Sequence, residues 1–127
     1  MTIKNIKLDS LSSSEALIIY GAHYDANGGD QSGFSVSQAG DINKDGFADI
    51  IIGAPNANSK AGMSYIIYGG QTQNQINLAS LEQSQGRAII DSTASAQSGT
   101  AVSGIGDFNH DGYDDVSINS PYDSISG

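Results

Sequence analysis

The chain alternates short apolar runs with polar stretches rich in Gly, Ser, Asn and Asp. Ser32-Gly33-Phe34-Ser35-Val36-Ser37 places apolar and polar side chains by turns, the period of a strand with one face buried. Asp49 to Ala54 contains Ile50, Ile51 and Ile52 in a row, which predicts a strand buried on both faces. Gly62 to Gly70, with Tyr65, Ile66, Ile67 and Tyr68 at its centre, predicts a third strand from its β-branched and aromatic content. Residues 5–20 and 75–90 share Ile6, Leu8, Ser10 and Leu11 with Ile76, Leu78, Ser80 and Leu81, and Ile18-Ile19 with Ile89-Ile90. Each of these segments reads as a turn-rich approach that leads into one strand.

The pattern repeats. Ser98 to Ser103 follows Ser32 to Ser37 by 66 residues, Asp115 to Ser120 answers Asp49 to Ala54, and Pro55 and Pro121 end those strands in register, since proline cannot extend a ladder. A unit of about 66 to 70 residues with four short strands fits one blade of a β-propeller. In blade order the chain reads strand four, then one to four, then one and two. The fold class expected is therefore all-β, with about two blades of four antiparallel strands, circularly offset.

Between the first two strands of each unit lies a polar loop. Asp41-Ile42-Asn43-Lys44-Asp45-Gly46-Phe47-Ala48-Asp49 has oxygen side chains at positions 1, 3, 5 and 9 and Gly at position 6; Asp107-Phe108-Asn109-His110-Asp111-Gly112-Tyr113-Asp114-Asp115 has the same. Asp, Asn and Gly also build ordinary surface turns. Two copies in register, however, favour a hard divalent cation, which takes six to eight oxygens and needs a residue that tolerates a sharp turn in the loop. Calcium suits such flexible all-oxygen loops better than magnesium does. Position 12, acidic in helix-loop-helix calcium sites, holds Ile52 and Ile118.

Composition agrees. Net charge is -9, and seven of the fourteen acids sit in the two loops, a crowding that cations relieve. Five Lys and Arg form no patch, which speaks against a nucleic-acid partner. Cysteine is absent, so thiolate metal sites and disulfides are excluded, and no apolar run is long enough for a transmembrane helix. Met1 to Lys7 lacks the apolar region of a secretory signal.

These residues resemble the FG-GAP repeat of integrin α-subunit β-propellers. Gly33-Phe34-Ser35-Val36 matches one name-giving element in part and Gly53-Ala54-Pro55 the other in full; in the second unit they have drifted to Gly99-Thr100-Ala101-Val102 and Asn119-Ser120-Pro121. The resemblance implies two repeats, residues 1–70 (strands 4-1-2-3) and an incomplete 71–127 (strands 4-1-2). It also implies two Ca²⁺ sites per chain, one from Asp41, Asn43, Asp45 and Asp49 with the carbonyl of Phe47, the other from Asp107, Asn109, Asp111 and Asp115 with the carbonyl of Tyr113.

Propellers have about four to eight blades. Two units do not close a ring, so the expectation is either copies joined head to tail as a homo-oligomer or blades of a longer propeller. No nucleophile elbow, phosphate loop or zinc-protease motif occurs, so no enzyme is expected. His110 reads as solvent-facing and His23 as a loop residue of no special role. Tyr20, Tyr65 and Tyr68 read as strand-face or core packing ahead of a sugar-stacking surface. The function expected is a calcium-binding module for protein–protein interaction or adhesion, extracellular or at the cell surface. The alternatives are a structural self-assembling unit and a non-catalytic accessory domain of a larger secreted enzyme.

Overall fold

The computed structural model describes residues 16–23 and 28–123. Its centre is a four-stranded antiparallel sheet in the order β2-β3-β4-β6, made of β2 (Ser35–Gly40), β3 (Asp49–Ala54), β4 (Met63–Ile67) and β6 (Gly86–Ile90). Two smaller sheets flank it. β1 (Ile18–Tyr20) pairs in parallel with β5 (Gln75–Asn77), and β7 (Ala101–Gly106) pairs antiparallel with β8 (Asp115–Asn119). The all-β, propeller-blade class read from the pattern is what the chain adopts.

The isoleucine run of β3 is explained by its place in this stack. Ile52 and Ala54 join Tyr65, Ile67, Ile76 and Leu78 in one buried cluster, with Ile19 and Ile50 packed against it. On the opposite face Ile51 meets Ala39, Ile66 and Val102, with Val116 and Ile118 behind them. Successive residues of a strand point to opposite faces; both faces of β3 are covered, so the run is apolar throughout. β8 is covered on one side only, and there Val116 and Ile118 alternate with exposed Ser117.

β7 lies along β2 without forming a ladder. Instead the hydroxyl of Ser35 accepts the Val102 N–H at 3.0 Å, and that of Ser37 accepts the Gly104 N–H at 3.4 Å. Side-chain hydroxyls thus satisfy backbone donors of the next unit and keep the two sheets distinct.

Three details differ from the sequence reading. The strands expected at 32–37 and 98–103 begin three residues later, because Gln31 to Phe34 and Gln97 to Thr100 close turns, with Phe34 N–H donated to Gln31 O and Thr100 N–H to Gln97 O. The approach at 75–90 is not all turn: it holds β5 and a 3-10 turn at Leu78–Ser80, capped by the Asn77 side chain, which accepts the Ala79 N–H. β1 forms as expected but pairs in parallel with β5, the segment that reaches it from between β4 and β6. The proposed counterpart of that approach, residues 5–15, lies outside the described residues.

Tyr65 is fully buried, whereas Tyr20 is half exposed on the face of its strand. His23 and His110 are exposed, as expected for loop residues. Among the described residues no helix is long and apolar enough to cross a membrane.

Candidate metal centre

Each polar loop sits at the tip of a hairpin, joining β2 to β3 and β7 to β8. Both hairpins enter the loop through the same register shift, between Gln38 and Gly40 and between Gly104 and Gly106. Such a bulge adds a residue to one strand and increases the local twist. The loop conformations also agree: Lys44 and His110 at position 4 have φ of 59° and 62°, and Gly46 and Gly112 at position 6 both have φ of 88°. Position 6 lies in the left-handed region, which explains its glycine.

The loops close on their first aspartate. Asp41 Oδ1 accepts the Asp45 N–H at 3.1 Å and Oδ2 the Gly46 N–H at 2.9 Å; Asp107 does the same for Asp111 at 3.0 Å and Gly112 at 2.9 Å. At position 3, Asn43 Oδ1 accepts the Asp45 N–H and Asn109 Oδ1 the Asp111 N–H, while each amide donates back to the position 5 carboxylate. Position 5 accepts from position 7 in both: Phe47 N–H to Asp45 and Tyr113 N–H to Asp111, each at 2.9 Å. The Tyr113 N–H, then the Asn109 side chain, and more weakly the Lys44 charge hold the Asp111 carboxyl below the usual carboxylate range.

Position 9 is where the copies part. Asp49 is 1% exposed, and its two oxygens accept the N–H groups of Ile42 and Gly69, both at 2.8 Å. Gly69, just past β4, is under the loop: a Cβ there would come within 2.4 Å of the Ala48 carbonyl oxygen and 2.8 Å of Phe47 Cβ. Asp115 is half-buried, and its Oδ2 accepts the N–H groups of Phe108 at 2.9 Å and Asn109 at 3.3 Å.

All ten residues singled out in the sequence therefore lie in two equivalent hairpin tips. Their donor set is oxygen only: three carboxylates, one amide oxygen and one backbone carbonyl per loop, which fits a hard divalent cation in kind. Most of the carboxylate oxygens accept a single N–H, which leaves lone-pair capacity on them. Among the described residues no three acidic or histidine side chains form a preassembled metal cage, the loop carboxylates being engaged by their own backbone.

Contacts between the loops have no counterpart in the sequence reading. Asp114 Oδ2 accepts the Asp41 N–H at 2.8 Å, and Lys44 Nζ lies 4.1 Å above the centre of the Tyr113 ring. The repeat conceals the first, since the residue equivalent to Asp114 in the first loop is Ala48. Gly69 is equally hidden, 20 residues from the carboxylate it holds.

A family model for the FG-GAP repeat matches residues 32–67 and 98–127. Integrin alpha-6 of Homo sapiens is 34% identical over 88 residues, covering 67% of this chain and 7% of that protein. Integrin alpha-6 of Gallus gallus is 35% identical over 85 residues, 67% of this chain and 8% of that protein. Integrin alpha-PS3 of Drosophila melanogaster is 36% identical over 95 residues, 74% of this chain and 8% of that protein. The chain thus spans less than a tenth of the length of these relatives. With two model matches that each take in a hairpin and its loop, and with the sheet order of a propeller blade, the chain belongs to the FG-GAP repeat family.

Proposed function

We propose that this chain is a calcium-stabilised propeller module for protein–protein interaction or adhesion, working outside the cell or at its surface. The observation that carries the reading is the paired loop: two hairpin tips, 66 residues apart, that repeat the same backbone conformation and hydrogen bonds around the same oxygen side chains. Asp41, Asn43, Asp45 and Asp49 with the Phe47 carbonyl would hold one ion, and Asp107, Asn109, Asp111 and Asp115 with the Tyr113 carbonyl a second. The ion would supply the positive charge that draws the three carboxylates of each tip together, so that the hairpin tip is pinned by electrostatic attraction. In this reading residues 1–70 and 71–127 are two offset repeats, and the second repeat lends β6 to the sheet begun by the first. The partner is another protein, met either by a face of the ring or by blade-to-blade assembly, with no catalytic step.

Thermal melts with millimolar calcium and with excess chelator test the reading. A ligand at a hundred times its Kd stabilises by about 2.7 kcal/mol, so calcium should raise Tm by several degrees. An unchanged Tm would remove calcium from the account.

A further inference from the structure

The contacts between the loops run through one side chain. Asp114 occupies position 8 of the second loop, between Tyr113, whose carbonyl is a calcium donor in the proposed function, and Asp115, the closing carboxylate. Its Oδ2 accepts the Asp41 N–H at 2.8 Å, and Asp41 is the residue on which the first loop closes. Asp114 lies against Gly40: a Cβ on Gly40, whose φ is +76°, would sit 2.1 Å from Asp114 Oδ2 and 2.7 Å from its Cβ. Only glycine admits the carboxylate there. Lys44 crosses the same gap in the other direction, its ammonium over Tyr113.

We propose that Asp114 couples the two loops, so that a cation in the second loop strengthens cation binding by the first. The inference rests on the calcium reading above and deepens it. Ligation by the Tyr113 carbonyl and Asp115 fixes the backbone on both sides of position 8 and hence the place of the Asp114 carboxylate. That carboxylate holds the Asp41 N–H and so the orientation of the first ligand of the other loop. Coupling of this kind is reciprocal: the first loop, when filled, strengthens the second by the same factor.

The Gly106–Asp107 step has a similar backbone, with φ of +69° at Gly106, and a Cβ there would meet nothing within 4 Å. The contact, though not the reciprocal coupling it carries, is thus one-sided along the repeats: position 8 of the second loop reaches the first, and Ala48 gives the first loop no equivalent side chain.

The test is calorimetric titration of the full chain with calcium chloride, joined to amide hydrogen exchange at Asp41. Disabling the second loop with Asp111→Ala should weaken calcium binding by the first about fivefold, the lower end of typical coupling. In an Asp114→Ala background the same change should leave first-loop affinity within about twofold, and exchange of the Asp41 amide should be at least tenfold faster than in the wild type. Asp114→Asn keeps the size and an oxygen acceptor but replaces the charge-assisted hydrogen bond with a weaker neutral one, and serves if the alanine variant does not fold; it should reduce the coupling without abolishing it, and a coupling equal to the wild type's would count against the proposal. Two independent sites in the wild type, or a fivefold dependence that survives loss of Asp114, would overturn the coupling and leave the calcium reading standing. No calcium heat in the wild type would overturn both.

Discussion

The two loops have the same residue types at positions 1, 3, 5, 6 and 9, and they are held differently. The first rests on the sheet: Asp49 is buried and binds Gly69, beyond the third strand of its own blade. Among the described residues the second has no such partner: its closing Asp115 accepts from Phe108 and Asn109 of its own loop. The difference separates two layers of information. Loop shape is local and repeats wherever the nine residues repeat. Loop anchorage is tertiary and depends on which strands stand next to the hairpin.

The sharpest way to break this comparison is to remove the closing carboxylates one at a time. Asp49→Ala leaves the Ile42 and Gly69 N–H groups without their charged acceptor in a buried place and should cost about 3 kcal/mol. Asp115→Ala, where water can replace the lost acceptor, should cost about 1 kcal/mol. Urea unfolding in chelator measures both without any contribution from calcium. Equal costs would show that burial of Asp49 is not what distinguishes the loops.

A smaller effect is expected at the seat itself. Gly69→Ala drives a methyl into the Ala48 carbonyl and should destabilise by about 2 kcal/mol, the usual penalty for overpacking. The calcium affinity of the first loop should fall with it while that of the second stays unchanged. A loss shared by both loops would mean that the anchorage is not specific to the first.

What was legible in the sequence follows the same division. The strands, the hairpins and the loops could be read because each depends on contacts inside a short segment. Ile50 to Ile52 announce a doubly covered strand, which β3 is. The strand starts at Ser35 and Ala101 were missed because a turn residue with positive φ, Gln31 or Gln97, carries no distinctive sequence signal. The parallel pairing of β1 with β5 was missed because it joins segments 57 residues apart. The place of the ten loop residues at the two hairpin tips was legible, whereas Asp114, Gly69 and Lys44 make contacts that only the folded chain brings about. Asp30 belongs with these: it is buried and accepts the N–H groups of Ala22, His23 and Ser32, tying the turn after β1 to the turn before β2.

The smallest effect concerns acidity. Asp111 in the folded chain titrates below its ordinary 3.8. A depressed carboxyl contributes stability that is present above the unfolded pKa and is lost as pH falls through the folded value. The second hairpin should therefore begin to loosen only below about pH 4. Lys44→Met, which removes the one favourable charge, the weakest of the three influences that lower the Asp111 carboxyl, should raise its midpoint slightly in a carboxylate NMR titration. A midpoint unmoved by that change would place Lys44 on Tyr113 without electrostatic effect on the second loop.

Equilibrium dialysis of the full chain against millimolar calcium, with the bound metal counted by elemental analysis, bears most directly on the central claim that these FG-GAP loops are twin cation sites. The account predicts two calcium ions per chain in the wild type and one in each of Asp41→Ala and Asp107→Ala. A count of zero in the wild type, or a count that neither substitution lowers, would contradict it.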